Sequence, residues 1–140
     1  MALPPAHQSH RLGSAGAPVV IEVFWDLCCP FSTKSFRTFT KELMPWLEEE
    51  HKGVVQVIFR QQIQAWHPQA TMMHEAALAV EAVAGAKFWD YCAALFEEQE
   101  AFFDPACMDL SRNQCYAQLA DLAAKVGVSK EAVLEKLKVI

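Results

Sequence analysis

The stretch Phe24-Trp25-Asp26-Leu27-Cys28-Cys29-Pro30-Phe31-Ser32 decides how the rest of the chain is read, because the hydrophobic period changes across it. Before it, Val19 to Trp25 is apolar, β-branched and aromatic, with one charge at Glu22. Such a run suits a strand buried on both faces, as in a parallel sheet. After it, Phe36, Phe39, Leu43 and Leu47 recur three or four apart, the spacing of an amphipathic helix. Pro30 is well placed as the first helical residue, since its missing N–H would have found no partner there. Cys29 then sits at the helix start, where unpaired backbone N–H groups and the positive end of the helix dipole both favour the thiolate, the nucleophilic form.

Further along, Pro45 falls late in the helical run and is expected to kink or end it. Glu48, Glu49 and Glu50 read as a solvated helix end. The chain then passes through His51, Lys52 and Gly53 into a second strand, Val54 to Phe59. Strand, helix, strand at this spacing is a βαβ unit, whose right-handed crossover makes the two strands parallel. Everything afterwards reads as helix. Met72, Met73, Ala76, Ala77, Val80 and Val83 form one stripe ending at Gly85, and Phe88, Trp89, Cys92, Leu95 and Phe96 form another. Ser111 and Gln114 make a capping box, Gly127 stands where a C-terminal cap is expected, and Ser129 caps a last helix. Residues 1–17, rich in Pro, Ala, Gly and Ser, read as a flexible arm, and residues 18–140 as one α/β domain with an incomplete sheet of two readable strands.

Composition narrows the function. Of 140 residues, 53% are hydrophobic and 21% charged, a globular balance for one domain. The net charge of −5 argues against nucleic acid and against an anionic membrane surface, both of which call for a basic face. No stretch approaches the roughly 20 apolar residues of a membrane span, and residues 1–18 lack the apolar segment of a secretory signal. The five cysteines, 28, 29, 92, 107 and 115, are odd in number, which points to free thiols in a reducing, cytoplasmic compartment.

A disulfide oxidoreductase needs a second thiol one helical turn beyond the first, to resolve the mixed disulfide. That position is Ser32. Its hydroxyl can hydrogen-bond a thiolate but cannot close a disulfide. Cys28 is a poor substitute, since adjacent Cα atoms stand about 3.8 Å apart and disulfides want about 4.4–6.8 Å. Its plainer role is that of a small packed apolar residue.

The order strand, aromatic-Asp-x-x-Cys-Pro-x-(Cys or Ser), amphipathic helix resembles the DsbA-like branch of the thioredoxin superfamily, and the helices after the second strand resemble that branch's helical insertion. The resemblance spans roughly residues 10–140 and implies a thioredoxin-like fold. It makes Cys29 the match for the nucleophile, Pro30 for the proline that follows it, and Ser32 for the resolving cysteine, from which it departs. The family's later cis-proline loop, two closing strands and final helix find no match here, so the sheet is expected to be incomplete and the domain truncated.

Asp26 has two readings: a buried acid that tunes proton transfer at Cys29, or an N-cap for the helix, with the cap favoured because Asp is among the best capping residues. His74 is a candidate donor to a nearby thiolate; its plainer role, like that of His67, is packing near the Cys29 end of the sheet. Cys92 lies on a core stripe, and Cys107 and Cys115 are remote candidates for a resolving thiol. The paired spacings of zinc sites, C-x₂₋₄-C and H-x₃₋₅-H, are absent around Cys28, Cys29, His67 and His74, so neither metal nor cofactor is expected.

Three functions compete. The first is a single-thiol oxidoreductase acting through Cys29 on protein thiols, or on glutathione as a thiol co-substrate. The second is a kappa-like glutathione transferase or isomerase. The third is a non-catalytic thioredoxin-fold module for assembly. The open strand edges favour a homo-oligomer, a homodimer first.

Overall fold

The computed structural model, which describes residues 3–138, builds a three-stranded sheet in the order β1-β3-β2. β1 (Arg11–Leu12) runs antiparallel to β3 (Val55–Gln61), and β3 runs parallel to β2 (Val19–Trp25) with Val19 opposite Val55 and Trp25 opposite Gln61. The βαβ unit is therefore present, with β3 two residues longer at its end than the apolar run suggests. β3 is the central strand and buries Val57, Ile58 and Phe59. β2 departs from the expectation of burial on both faces. It is an edge strand, and Val20 and Phe24 on one face are exposed. An apolar run tells of a strand in a sheet; it does not tell whether a neighbour lies beside or above it.

The segment read as a flexible arm is docked. Pro5–His10 forms 3₁₀ turns and leads into β1, a third strand where two were read. Long-range bonds hold it: the Trp89 indole N–H donates to the Ser9 carbonyl at 2.9 Å, and the His10 ring bonds the Phe59 carbonyl at 3.0 Å. The Gln56 side-chain amide donates to the carbonyls of Ala15 and Ala17. Gly13, at φ 85°, has Val55 carbonyl oxygen 2.6 Å from where a Cβ would lie, so only glycine passes that point.

α1 (Pro30–Thr38) continues through a π turn, Phe39–Leu43, into α2 (Met44–Glu50). Pro45 does not end the helix. The wider turn precedes it at the place where a regular helix would press its ring against the Lys41 carbonyl, four residues back. The helical region comprises α3 (Ala70–Ala84), α4 (Phe88–Glu97), α5 (Asp104–Cys107), α6 (Arg112–Lys125) and α7 (Lys130–Leu137). Ser111 and Gln114 form the capping box of α6, Gly127 takes φ 85° just past its end, and Ser129 caps α7.

One core joins sheet and helices. Trp25 packs edge-on against Phe36, Phe39 and Phe59 at 5.4, 5.2 and 5.3 Å between ring centres, and its indole N–H donates to Ser35. Each such buried ring contributes about 1.5–3 kcal/mol, which fixes the end of β2 and the start of α1 as one rigid corner. Among the described residues, no helix is long and apolar enough to cross a membrane.

Candidate functional site

The corner between β2 and α1 carries the residues singled out above. β2 stops at Trp25, and the chain turns through Asp26, Leu27 and Cys28, closed by the Cys29 N–H donating to the Asp26 carbonyl at 3.1 Å. Pro30 then does two things. It opens α1, and it holds Cys29 extended (φ −89°, ψ 123°) as the N-cap residue. The Cys29 side chain makes no capping hydrogen bond. The N–H groups of Phe31 and Ser32, in the first turn, have no intrahelical acceptor and face this end.

Asp26 does not cap α1. One carboxyl oxygen accepts the Cys28 N–H at 2.8 Å, and the other accepts the Gln64 N–H at 3.0 Å and the His67 Nδ1–H at 2.9 Å. The side chain is fully buried and points back across the turn, so it ties the β2–α1 corner to the loop after β3. The Ser32 hydroxyl accepts the Asp26 N–H at 3.1 Å. His74 reaches the same turn from the second turn of α3, where its Nε2 accepts the Leu27 N–H at 3.2 Å. That bond leaves the proton on Nδ1, which has no partner, so the ring serves the backbone and is not a donor to a thiolate. Burial pushes the His74 imidazole down to about 4, against the opposing pull of Asp26.

The two adjacent cysteines differ. Cys28 is 2% exposed, and its Sγ lies 3.9 Å from the Phe102 carbonyl. Burial, and then the charges of Asp26 and Asp104, push its thiol up to about 12, so it stays protonated and packed, as a small apolar residue would. Cys29 is 5% exposed at the helix start. Cys92 lies in the core, where burial also pushes its thiol up. Cys107 and Cys115 are buried near one another in the helical region, and burial, then Cys115, pushes Cys107 up to about 11.

A cleft of about 240 Å³ flanks the helix start, lined by Cys28, Pro30, Trp66, His67, Phe103 and Asp104. Cys29 lies between two of these lining residues in the chain. Trp66, which lines the cleft with Pro30, is 71% exposed, and Phe31, next in the chain after Pro30, is 82% exposed. Trp66, Gln64 and Gln99 carry weight that the sequence alone does not reveal; Gln99 donates to the Leu27 carbonyl from the far side of the turn. A tryptophan directly before His67-Pro68, in the loop after β3, is the signal the sequence offers.

The fold and this corner together define a thioredoxin-type domain. The thioredoxin family model matches residues 6–138, and the chain belongs to that family. Similar solved structures include BdbD from Bacillus subtilis in its oxidised form (26% identity, TM-score 0.65, covering 91% of this chain and 64% of that one). A putative protein-disulfide isomerase from Pseudomonas syringae is 22% identical with TM-score 0.69, over 93% of this chain and 76% of that one. MdbA, a thiol-disulfide oxidoreductase from Corynebacterium diphtheriae, is 21% identical with TM-score 0.67, over 90% and 62%. No curated protein matches the chain. The fold is thus that of DsbA-type oxidoreductases, with a helical insertion and a sheet left open beside β2, and the chain spans roughly two thirds of the length of these relatives.

Proposed function

We propose that this protein carries out thiol–disulfide exchange through Cys29 alone. In that reading the Cys29 thiolate attacks a disulfide, forms a mixed disulfide and expels the other sulfur as a thiolate. An outside thiol, from glutathione or a protein, then attacks the mixed disulfide and releases Cys29. The observation that carries the reading is the placement of Cys29 as N-cap of α1, with Pro30 next, at the end of the helix whose first-turn N–H groups lack intrahelical acceptors. Ser32 removes the internal route of release, so the outside thiol is required. Trp66 and Phe103 give the cleft an apolar wall suited to a peptide or to the glutathione backbone. The five cysteines are all free, as an external thiol route to release would have them.

Incubation with oxidised glutathione followed by intact-mass and peptide mapping tests this. One glutathione adduct on Cys29, absent from Cys29→Ser and present on Cys28→Ser, is the expected result. Adducts spread evenly over the cysteines, or none, would refute it. The second reading, an assembly module without catalysis, rests on the open edge of β2 and its exposed Val20 and Phe24. It is the reading to adopt if Cys29 forms no adduct and the chain self-associates.

A further inference from the structure

His7, His10 and Glu81 form a second polar cluster, away from the thiol turn. His7 and His10 lie in the 3₁₀ segment before β1, and Glu81 lies on α3, two helical turns past His74. His10 is 6% exposed and Glu81 7%. The His10 Nδ1–H donates to the Phe59 carbonyl at 3.0 Å, and its ring stacks on Phe88 at 4.0 Å. That bond places the proton on Nδ1 and leaves a lone pair on Nε2.

The Nε2 atom stands 3.2 Å from the Glu81 carboxylate yet makes no hydrogen bond, and the second Glu81 oxygen is also buried without a partner. His7 Nδ1 hydrogen-bonds, at 2.8 Å, the same Glu81 oxygen that faces His10. One ligand atom from each residue falls within 4.8 Å of the others. With His10 neutral, its Nε2 lone pair faces the Glu81 carboxylate, and Nε2 and the second Glu81 oxygen are left buried without a partner, which costs stability unless a further atom satisfies them.

We infer that His7, His10 and Glu81 form a binding site for a divalent transition metal, with zinc the ion best suited to it. Two imidazole nitrogens and one carboxylate oxygen are a zinc donor set, and three protein ligands leave a fourth position for water. His7, partly exposed, gives that position access to solvent. The Phe59 carbonyl on His10 Nδ1 is the kind of partner that orients a metal-binding imidazole and raises its basicity. The ion acts as a clip, joining the segment that carries β1 to α3. The spacing of His7 and His10 is shorter than the pairs usually sought in a sequence, and the third ligand follows 74 residues after His7.

Cobalt(II) serves as the probe, added to metal-free protein and read by visible absorption, with zinc addition read by thermal unfolding. One equivalent of cobalt should bind with tetrahedral ligand-field bands and no sulfur-to-cobalt charge-transfer band, and zinc should raise the melting temperature. His7→Ala, whose site is partly exposed and whose fold should hold, should weaken binding by about tenfold or more; Glu81→Gln should do the same. Three results would overturn the site: no binding at micromolar cobalt, binding with a sulfur charge-transfer band that survives His7→Ala and so belongs to cysteines, or affinity unchanged in both variants. In the first case the cluster is an ion pair only.

Discussion

The N–H of Asp26 donates to the hydroxyl of Ser32 at 3.1 Å, across the first turn of α1. Ser32, which the resemblance matches to a resolving cysteine, is here part of the turn that holds Cys29. Ser32→Cys should restore a dithiol: on oxidation the variant should close an internal disulfide between Cys29 and the introduced sulfur, and it should reduce insulin, where the parent does neither. Thiol counting and an insulin turbidity assay read this directly. A variant that folds but keeps both thiols free would mean the helix start is not built for exchange.

Cys29 and Cys28 are adjacent in the chain, one at the helix start and the other packed behind it, which makes a clean comparison. Cys28, pushed up to about 12 by burial, is a thiol throughout the physiological range. Cys29, at the helix start, should alkylate with iodoacetamide at pH 7 at least about tenfold faster than Cys28, Cys92 or Cys107. Time-resolved mass mapping measures all of them in one sample. Equal rates would remove the case for an activated thiol.

Asp26 accepts three hydrogen bonds, two from backbone N–H groups that have no alternative partner in the site. Asp26→Asn keeps the shape but turns an amide toward the Gln64 N–H and His67. The expected cost is about 1.5–3 kcal/mol in urea unfolding, the range for a hydrogen bond to a charged group. The Gln64 amide should lose its hydrogen-exchange protection at the same time. Unchanged protection there would show that the carboxylate does not hold the loop.

The period change at Asp26 made β2 and α1 legible, since an apolar β-branched run and a following Pro30 depend only on neighbours in the chain. The caps at Ser111, Gly127 and Ser129 were legible for the same reason. The role of Asp26 was not, because its partners Gln64 and His67 lie 38 and 41 residues further on. β1 is two residues long and exists only by pairing Arg11 with Ile58 and Leu12 with Val57, so no local pattern could announce it. The exposure of Phe24 depends on what packs over that face of β2, a property of topology and not of composition.

The open edge of β2 bears on assembly. Val20 and Phe24 are exposed on the strand, and a groove of about 400 Å³ beside it is lined by Val23, Trp25, Phe31, Phe39 and Leu43. A symmetric pairing of β2 with a second copy along this edge would satisfy its open N–H and C=O groups. The 15.7 kDa chain should therefore sediment as a dimer at micromolar concentration, and Phe24→Lys, a charge placed on the edge, should give the monomer. A monomeric parent with cooperative unfolding would show that this face needs no second copy.

His74 gives the fold a defined response to acid. Burial holds its imidazole at about 4 in the folded protein, against an ordinary value near 6.5. As pH falls through 6.5 the unfolded chain takes up a proton that the folded chain refuses until about pH 4. Stability is therefore complete above pH 6.5 and falls with pH across the window between the two values, by up to roughly 3 kcal/mol. The Leu27 N–H, which donates to His74 Nε2, would lose its acceptor when that nitrogen is protonated, so the corner under Cys29 should loosen first. Urea midpoints at pH 7.5, 6.0 and 5.0 should decline for the parent. His74→Asn, which can still accept from Leu27 through its side-chain carbonyl but does not titrate, should show a flatter decline. Parallel slopes for the two proteins would place the acid sensitivity elsewhere.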